Sequence, residues 1–269
     1  MVCAGCGEGG GADGERTSVV ASFYPLAYAA MEVGGRSVRV RNLTPAGAEP
    51  HDLEATPGDV GELHEADLVL LLGDRFQPQL EDAAGKSEHV LHLIDTPGLN
   101  RLEQADVHVW LDPLRYAVLV ERIADELDRP GEAARLEGRL RNLDRAFEQG
   151  LADCARREIV TNHAAFGYLA DRYGLEQTAI TGNSPEGEPA PRDLEHAVDA
   201  VRETGATTVF VEPLVSASAV ETVAREAGVQ TALLNPIEGL TESEQTGGAD
   251  YFSLMRANLA ALRKALGCR

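Results

Sequence analysis

Seven histidines occur in the chain, and three of them stand in similar surroundings. His51 lies in "AGAEPHDLEATP", His108 in "ADVHVWLDP" and His163 in "VTNHAAFGY". Each falls in or beside a segment read as the carboxyl edge of a sheet, the edge along which open α/β sheets bind ligands. Three neutral imidazoles suit Zn2+, which takes nitrogen or sulfur donors in a tetrahedral set. No local His-x-x-x-His is present, so spacing alone is a weak signal. For any one of these histidines by itself, a structural role is the ordinary expectation. A fourth donor is needed. The segment "LLNPIEGLTESE" offers Asn235 at a strand end and Glu238 one turn later. A carboxylate is the better ligand for Zn2+ or Mn2+, and a neutral amide is poor for Zn2+, so Glu238 is the candidate. Its alternative role is an acid at a helix N-terminus, stabilised by the dipole. Glu212 in "VFVEP" also ends a strand. It reads either as an acceptor that orients a histidine or as a strand terminator before Pro213.

The other histidines are blander. His64 and His196 lie in polar helical segments and are expected to face solvent, and His89 and His92 flank a short strand. No nucleophile elbow, phosphate-cradling glycine loop or His-Glu-x-x-His helix occurs.

These positions need elements to hold them. Apolar, β-rich runs fall near 17–23, 37–43, 67–72 and 89–94, then near 157–162, 177–181, 206–212 and 229–234, with helical stretches between them. That alternation predicts an α/β protein with two lobes, each a mainly parallel four-stranded sheet flanked by helices. Between the lobes, Leu136, Leu140, Leu143, Phe147 and Leu151 recur at helical spacing after Pro130-Gly131. About 25 helical residues would span roughly 37 Å, so one long rigid helix is expected to join the lobes. The expected division is a flexible tether over 1–16, a first lobe over 17–128, the linking helix over 129–155 and a second lobe over 156–269.

The 269 residues suffice for one large domain or two modest ones, and the formal net charge of −20 disfavours a nucleic-acid partner. No apolar run is long enough for a transmembrane helix. Cys3 and Cys6 sit at the extreme N-terminus, where no strand precedes them as in a redox enzyme. Ala4-Gly5-Cys6 resembles the end of a bacterial lipobox, and the glycine-rich residues after it would then be a tether. The alternative is a tail with incidental cysteines. Cys154 and Cys268 could pair in an exported protein. The expectation preferred from sequence is two free, half-buried thiols.

Several motifs in order resemble those of the metal-binding solute receptors of bacterial ABC importers, of the zinc and manganese type. "PHDLEATP" (50–57) is similar to that family's Pro-His-x-x-Glu-x-x-Pro, and "VHVWLDP" (107–113) to its His-x-Trp-x-Asp-Pro. "NHAAFGYLADRYGL" (162–175) and "SPEGEPAPRDL" (184–194) resemble two further family segments. The resemblance runs from about residue 17 to the C-terminus. It implies a metal held in the cleft by His51 and His108 of the first lobe, and by His163 and a residue after the last strand of the second. In the family a histidine at the position of His163 goes with zinc and a glutamate there with manganese, so one Zn2+ ion as cargo is implied. Asn235 stands where the family usually has aspartate, which leaves Glu238, Asn235 or water as the fourth donor. The histidine-rich loop that many zinc receptors carry before the second ligand is absent or vestigial in 81–106.

The resemblance further implies a monomeric receptor outside the cytoplasmic membrane, periplasmic or lipid-anchored through Cys6. It would deliver Zn2+ to an ABC importer permease and would not be an enzyme. Two alternatives remain from the residues themselves. One is a manganese or iron receptor on the same fold. The other is a zinc hydrolase with three histidine ligands, a bound water and Glu238 as general base. Because imidazole binds metal only when neutral, affinity is expected to fall as pH drops through roughly 6.5.

Overall fold

β-Branched and other apolar residues become strands where helices cover both faces of a parallel sheet. Among the described residues they do so in eight places. The structure is a computed structural model that describes residues 16–85, 89–102, 106–185 and 187–269. The first half runs β1 (Thr17–Ala21), α1 (Tyr24–Gly34), β2 (Val38–Asn42), α2 (Pro57–Glu65), β3 (Leu68–Leu71), α3 (Pro78–Ala84) and β4 (Val90–His92). Two helices follow, α4 (Pro113–Glu126) and α5 (Pro130–Leu151). The second half runs β5 (Glu158–Thr161), α6 (Gly167–Tyr173), β6 (Glu176–Ala179), α7 (Pro191–Thr204), β7 (Thr208–Val211), α8 (Ser218–Ala227), β8 (Gln230–Leu233), α9 (Glu242–Thr246) and α10 (Tyr251–Leu266). The tether expected over 1–16 and its Cys6 lie outside the described residues, Arg16 apart.

Both sheets are four-stranded and parallel, in the orders β2-β1-β3-β4 and β6-β5-β7-β8. The two lobes thus repeat one topology. Each strand lies within or beside its expected run, shortened at the ends. β3, Leu-Val-Leu-Leu, is buried throughout. The edge strand β2 turns Arg39 and Arg41 outward, and charge of that kind protects an exposed edge.

Helix α5 buries Leu136, Leu140, Leu143, Phe147 and Leu151, the stripe read from the sequence. It stops at Leu151 because the chain end is capped. Arg157 donates from Nη1 to the Leu151 carbonyl at 2.8 Å and from Nη2 to that of Ala152 at 3.0 Å. Cys154 then bonds to Cys268, with S–S 1.97 Å. The free-thiol expectation is therefore corrected: the sequence could not show that the chain's last turn returns to the foot of α5.

One hydrophobic core runs through the whole molecule. It links Val19 and Leu26 of the first lobe to Leu119 and Leu140 of α4 and α5, and on to Ile159, Phe210 and Leu262 of the second lobe. Each sheet has a smaller cluster on its other face, around Val69 and around Val209. Trp110 and Tyr251 sit at the centre of the shared core. The Trp110 indole Nε1 donates to the Pro236 carbonyl at 2.8 Å, and the Tyr251 hydroxyl donates to the Trp110 carbonyl at 2.6 Å. Buried contacts of this kind between the lobes oppose a wide hinge motion.

Candidate metal centre

The carboxyl ends of both sheets face one crevice, and the four candidate donors arrive there on four different segments. His51 lies on the irregular chain after β2, His108 just before a short 3-10 turn (Val109–Leu111), His163 directly after β5, and Glu238 after β8. One donor atom from each lies within 4.8 Å of all the others. Glu238 Oε1 is the hub: it is 2.8 Å from His108 Nε2, 3.1 Å from His163 Nε2 and 3.3 Å from His51 Nε2. The two buried rings bring their Nε2 atoms to 3.4 Å. His108 and His163 are inaccessible, whereas the His51 side chain keeps 11% of its surface exposed. His64 and His196 are exposed on helices, as expected, and neither they nor His92 belongs to the cluster.

Carboxylates fix the two buried rings. Asp106 Oδ1 is 2.7 Å from His108 Nδ1 and accepts the His108 N–H at 2.8 Å. Glu212 Oε2 is 2.5 Å from His163 Nδ1, and Oε1 accepts the His163 N–H at 3.1 Å. With Nδ1 engaged, each ring presents Nε2 to the crevice, as metal-binding histidines do. Of Glu212's two sequence readings, the orienting one fits. Asp106 and Glu49 were missed by the sequence reading. Each precedes its histidine by two residues, in "EPH" and "DVH", and that shared acid-x-His spacing was the available signal.

Asn235 supports the centre and does not face it. Its side-chain oxygen accepts the Ile237 N–H at 2.8 Å, and its Nδ2 donates to Glu244 Oε1 at 3.0 Å. Its backbone is clasped by Asn258, which accepts the Asn235 N–H and donates to its carbonyl. An aspartate here would set two carboxylates together at Glu244, which gives the asparagine a physical reason. The turn carries Ile237 at φ 58°, a left-handed conformation that costs a β-branched residue energy.

The charges of the centre favour the protonated imidazoles of His108 and His163. Burial alone would lower His163, yet the carboxylates of Glu212 and Glu238 outweigh it and raise the group to about 10. The same contest, with Asp106 and Glu238, raises His108. Burial would push Glu238 up, but the surrounding histidines hold it well below the usual carboxylate range. Burial, then the Glu238 charge, pushes Glu49 up to about 9. Three nitrogens and one oxygen converging in a crevice largely shut off from solvent can hold a tetrahedral divalent cation of zinc type.

Comparison with known proteins agrees with this geometry. Residues 19–265 match the family described as zinc-uptake complex component A, periplasmic. The zinc-binding lipoprotein AdcA of Streptococcus pneumoniae is 34% identical over 282 residues, covering 94% of this chain but 56% of that protein. This chain therefore spans about half the length of that curated relative. The Zn(II)-bound ZnuA-like domain of the same protein superposes with a TM-score of 0.80 at 34% identity, covering 94% and 99% of the two chains. The periplasmic zinc-binding protein TroA of Treponema pallidum, 24% identical, shares the fold with a TM-score of 0.85, covering 95% of this chain and 100% of its own.

Proposed function

We propose, on the premise that this chain belongs to the zinc-uptake complex component A family, that it is a zinc receptor working outside the cytoplasmic membrane. His51, His108, His163 and Glu238 bind one Zn2+ as cargo, and the protein hands the ion to the permease of an ABC importer. The observation that carries this reading is the meeting of three Nε2 atoms and one carboxylate oxygen from four distant segments. It agrees with the zinc binding of the Streptococcus pneumoniae relative and of its ZnuA-like domain.

In this reading the chain acts as a monomer, tethered over 1–16 and anchored by lipid at Cys6. The first lobe covers 17–128, the linking helix 129–155 and the second lobe 156–269. No helix among the described residues is long and apolar enough to cross a membrane. The hydrolase alternative loses ground on one distance. A general base stands back from the metal behind a water, whereas Glu238 Oε1 is within 3.3 Å of all three imidazole nitrogens, a ligand's place.

Titration of metal-free protein with zinc against a competing chelator tests the assignment. The wild type is expected to take one equivalent tightly. A variant with His51, His108 and His163 all replaced by alanine is expected to take none. Equal affinity in the two proteins would sink the reading.

A further inference from the structure

The three histidines of the centre are held in two different ways. Asp106 and Glu212 fix the rings of His108 and His163 through Nδ1. Among the described residues no carboxylate pairs with Nδ1 of His51, whose Nε2 points to Glu238. The His51 ring meets Phe76 instead, edge-on, with centroids 4.5 Å apart and planes at 66°. Phe76 is buried, and it packs in turn on Phe23 and Trp110, with centroids at 4.6 and 5.7 Å. The one ligand ring with access to solvent is therefore the one that an aromatic ring, and not a carboxylate, holds in place.

The backbone that presents Phe76 is strained. Gly73, Asp74 and Arg75 lie at φ 92°, 59° and 63°. Glycine adopts that region freely, whereas aspartate and arginine do so at a cost. Such a conformation persists only where the surroundings impose it. Here they impose it from several sides. Glu81 of α3 accepts the N–H of Arg75 through Oε2 at 3.1 Å and that of Gln77 through Oε1 at 3.2 Å. Arg101 pairs with Asp74, and Arg75 Nη1 donates to Asp82 at 2.6 Å. Gln77 Nε2 donates to Thr44 Oγ1 at 3.1 Å, which ties the turn to the chain just after β2, the segment that goes on to carry His51.

We propose that Phe76 is a positioning residue of the metal centre. Pinned by the strained turn at 73–75, it sets the ring orientation of His51, the task that carboxylates perform for the other two histidines, and so slows the escape of the bound ion. This rests on the zinc-receptor reading and deepens it. An edge-on aromatic contact orients a ring without adding charge, and its loss corresponds to about two- to tenfold in affinity.

Four proteins test this: wild type, Phe76→Leu, His51→Ala and the double variant. Each is titrated with Zn2+ against a competing chelator and followed for zinc release into excess chelator. Leucine keeps the position apolar and removes the ring edge. Phe76→Met, which fills the space without a ring, replaces it if the leucine variant fails to fold. Phe76→Leu is expected to bind zinc about two- to tenfold more weakly and to release it faster by a similar factor. In the His51→Ala background the same substitution is expected to change nothing, because the ring it positions is gone. Equal losses in both backgrounds would mean that Phe76 supports only the fold, and would overturn the proposal. Zinc release from Phe76→Leu at the wild-type rate would do the same. A wild type that takes up no zinc, or His51→Ala binding as tightly as wild type, overturns the receptor site itself and this proposal with it; both results show before Phe76 is touched.

Discussion

Two charge clusters lie deep in this protein, and they are built on opposite plans. At the α5–α6 contact, the buried Asp144 carboxylate receives Arg172 through Nε and Nη2, both at 2.8 Å, and the Tyr173 hydroxyl at 3.2 Å. The protein supplies the cation, and the group is complete. In the crevice, Glu49, Asp106, Glu212 and Glu238 gather around three imidazoles, and no lysine or arginine among the described residues pairs with any of them. That cluster is left to protons, or to a cation from outside. The contrast shows which buried charges serve the fold and which are kept for a ligand.

The largest expected effect concerns the second cluster alone. Zinc at a thousand times its Kd is expected to stabilise the wild type by about 4 kcal/mol, read as a rise in Tm. His163→Ala is expected to lose most of that gain, because one donor of four accounts for roughly a quarter of a binding energy of about 10–16 kcal/mol. A full zinc-induced rise in the variant would break the comparison.

Next in size is the converse. Arg172→Ala leaves Asp144 buried without its partner, which is expected to cost about 3 kcal/mol in denaturant unfolding. Its zinc affinity is expected to stay at the wild-type level. A variant that instead lost zinc binding would mean that the two clusters are coupled.

The smallest effect is the pH dependence, and it revises the expectation from sequence. His163 in the ion-free centre is raised to about 10 by Glu212 and Glu238 against burial. A raised group stabilises the ion-free fold fully below its ordinary value of about 6.5, and that contribution fades as pH climbs through the folded value. Zinc must displace this proton. Affinity is therefore expected to keep rising above neutrality, by about tenfold per pH unit for one proton released, rather than levelling off just above roughly 6.5. Calorimetry in buffers of different ionisation enthalpy at pH 7.5 checks it. Zinc binding without proton release would remove the electrostatic account of the crevice.

Much of this architecture was legible beforehand, for physical reasons. Strands such as β3 are continuous apolar runs, and α5 shows its buried stripe at helical spacing, so local pattern and final environment agree. His51, His108, His163 and Glu238 could be named as candidates from the carboxyl edges of the expected sheets together with the family resemblance, and the structure brings one donor atom of each within 4.8 Å of the others. What stayed hidden was long-range pairing. Nothing local reveals that Asn258 will clasp Asn235, that Glu49 will face Glu238, or that Cys268 will return to Cys154. Asp106 looked like an ordinary turn acid, because its partner ring becomes visible only once the chain has folded.

Ile237 bears on how quickly the centre can fill. A β-branched residue held at φ 58°, buried and latched by Asn235, keeps the adjoining Glu238 aimed before any ion arrives. The energetic cost of that posture falls on folding, so it is not charged again when zinc enters. Uptake should then be governed by how fast the ion sheds its water and the protons leave, with little waiting for the polypeptide to rearrange.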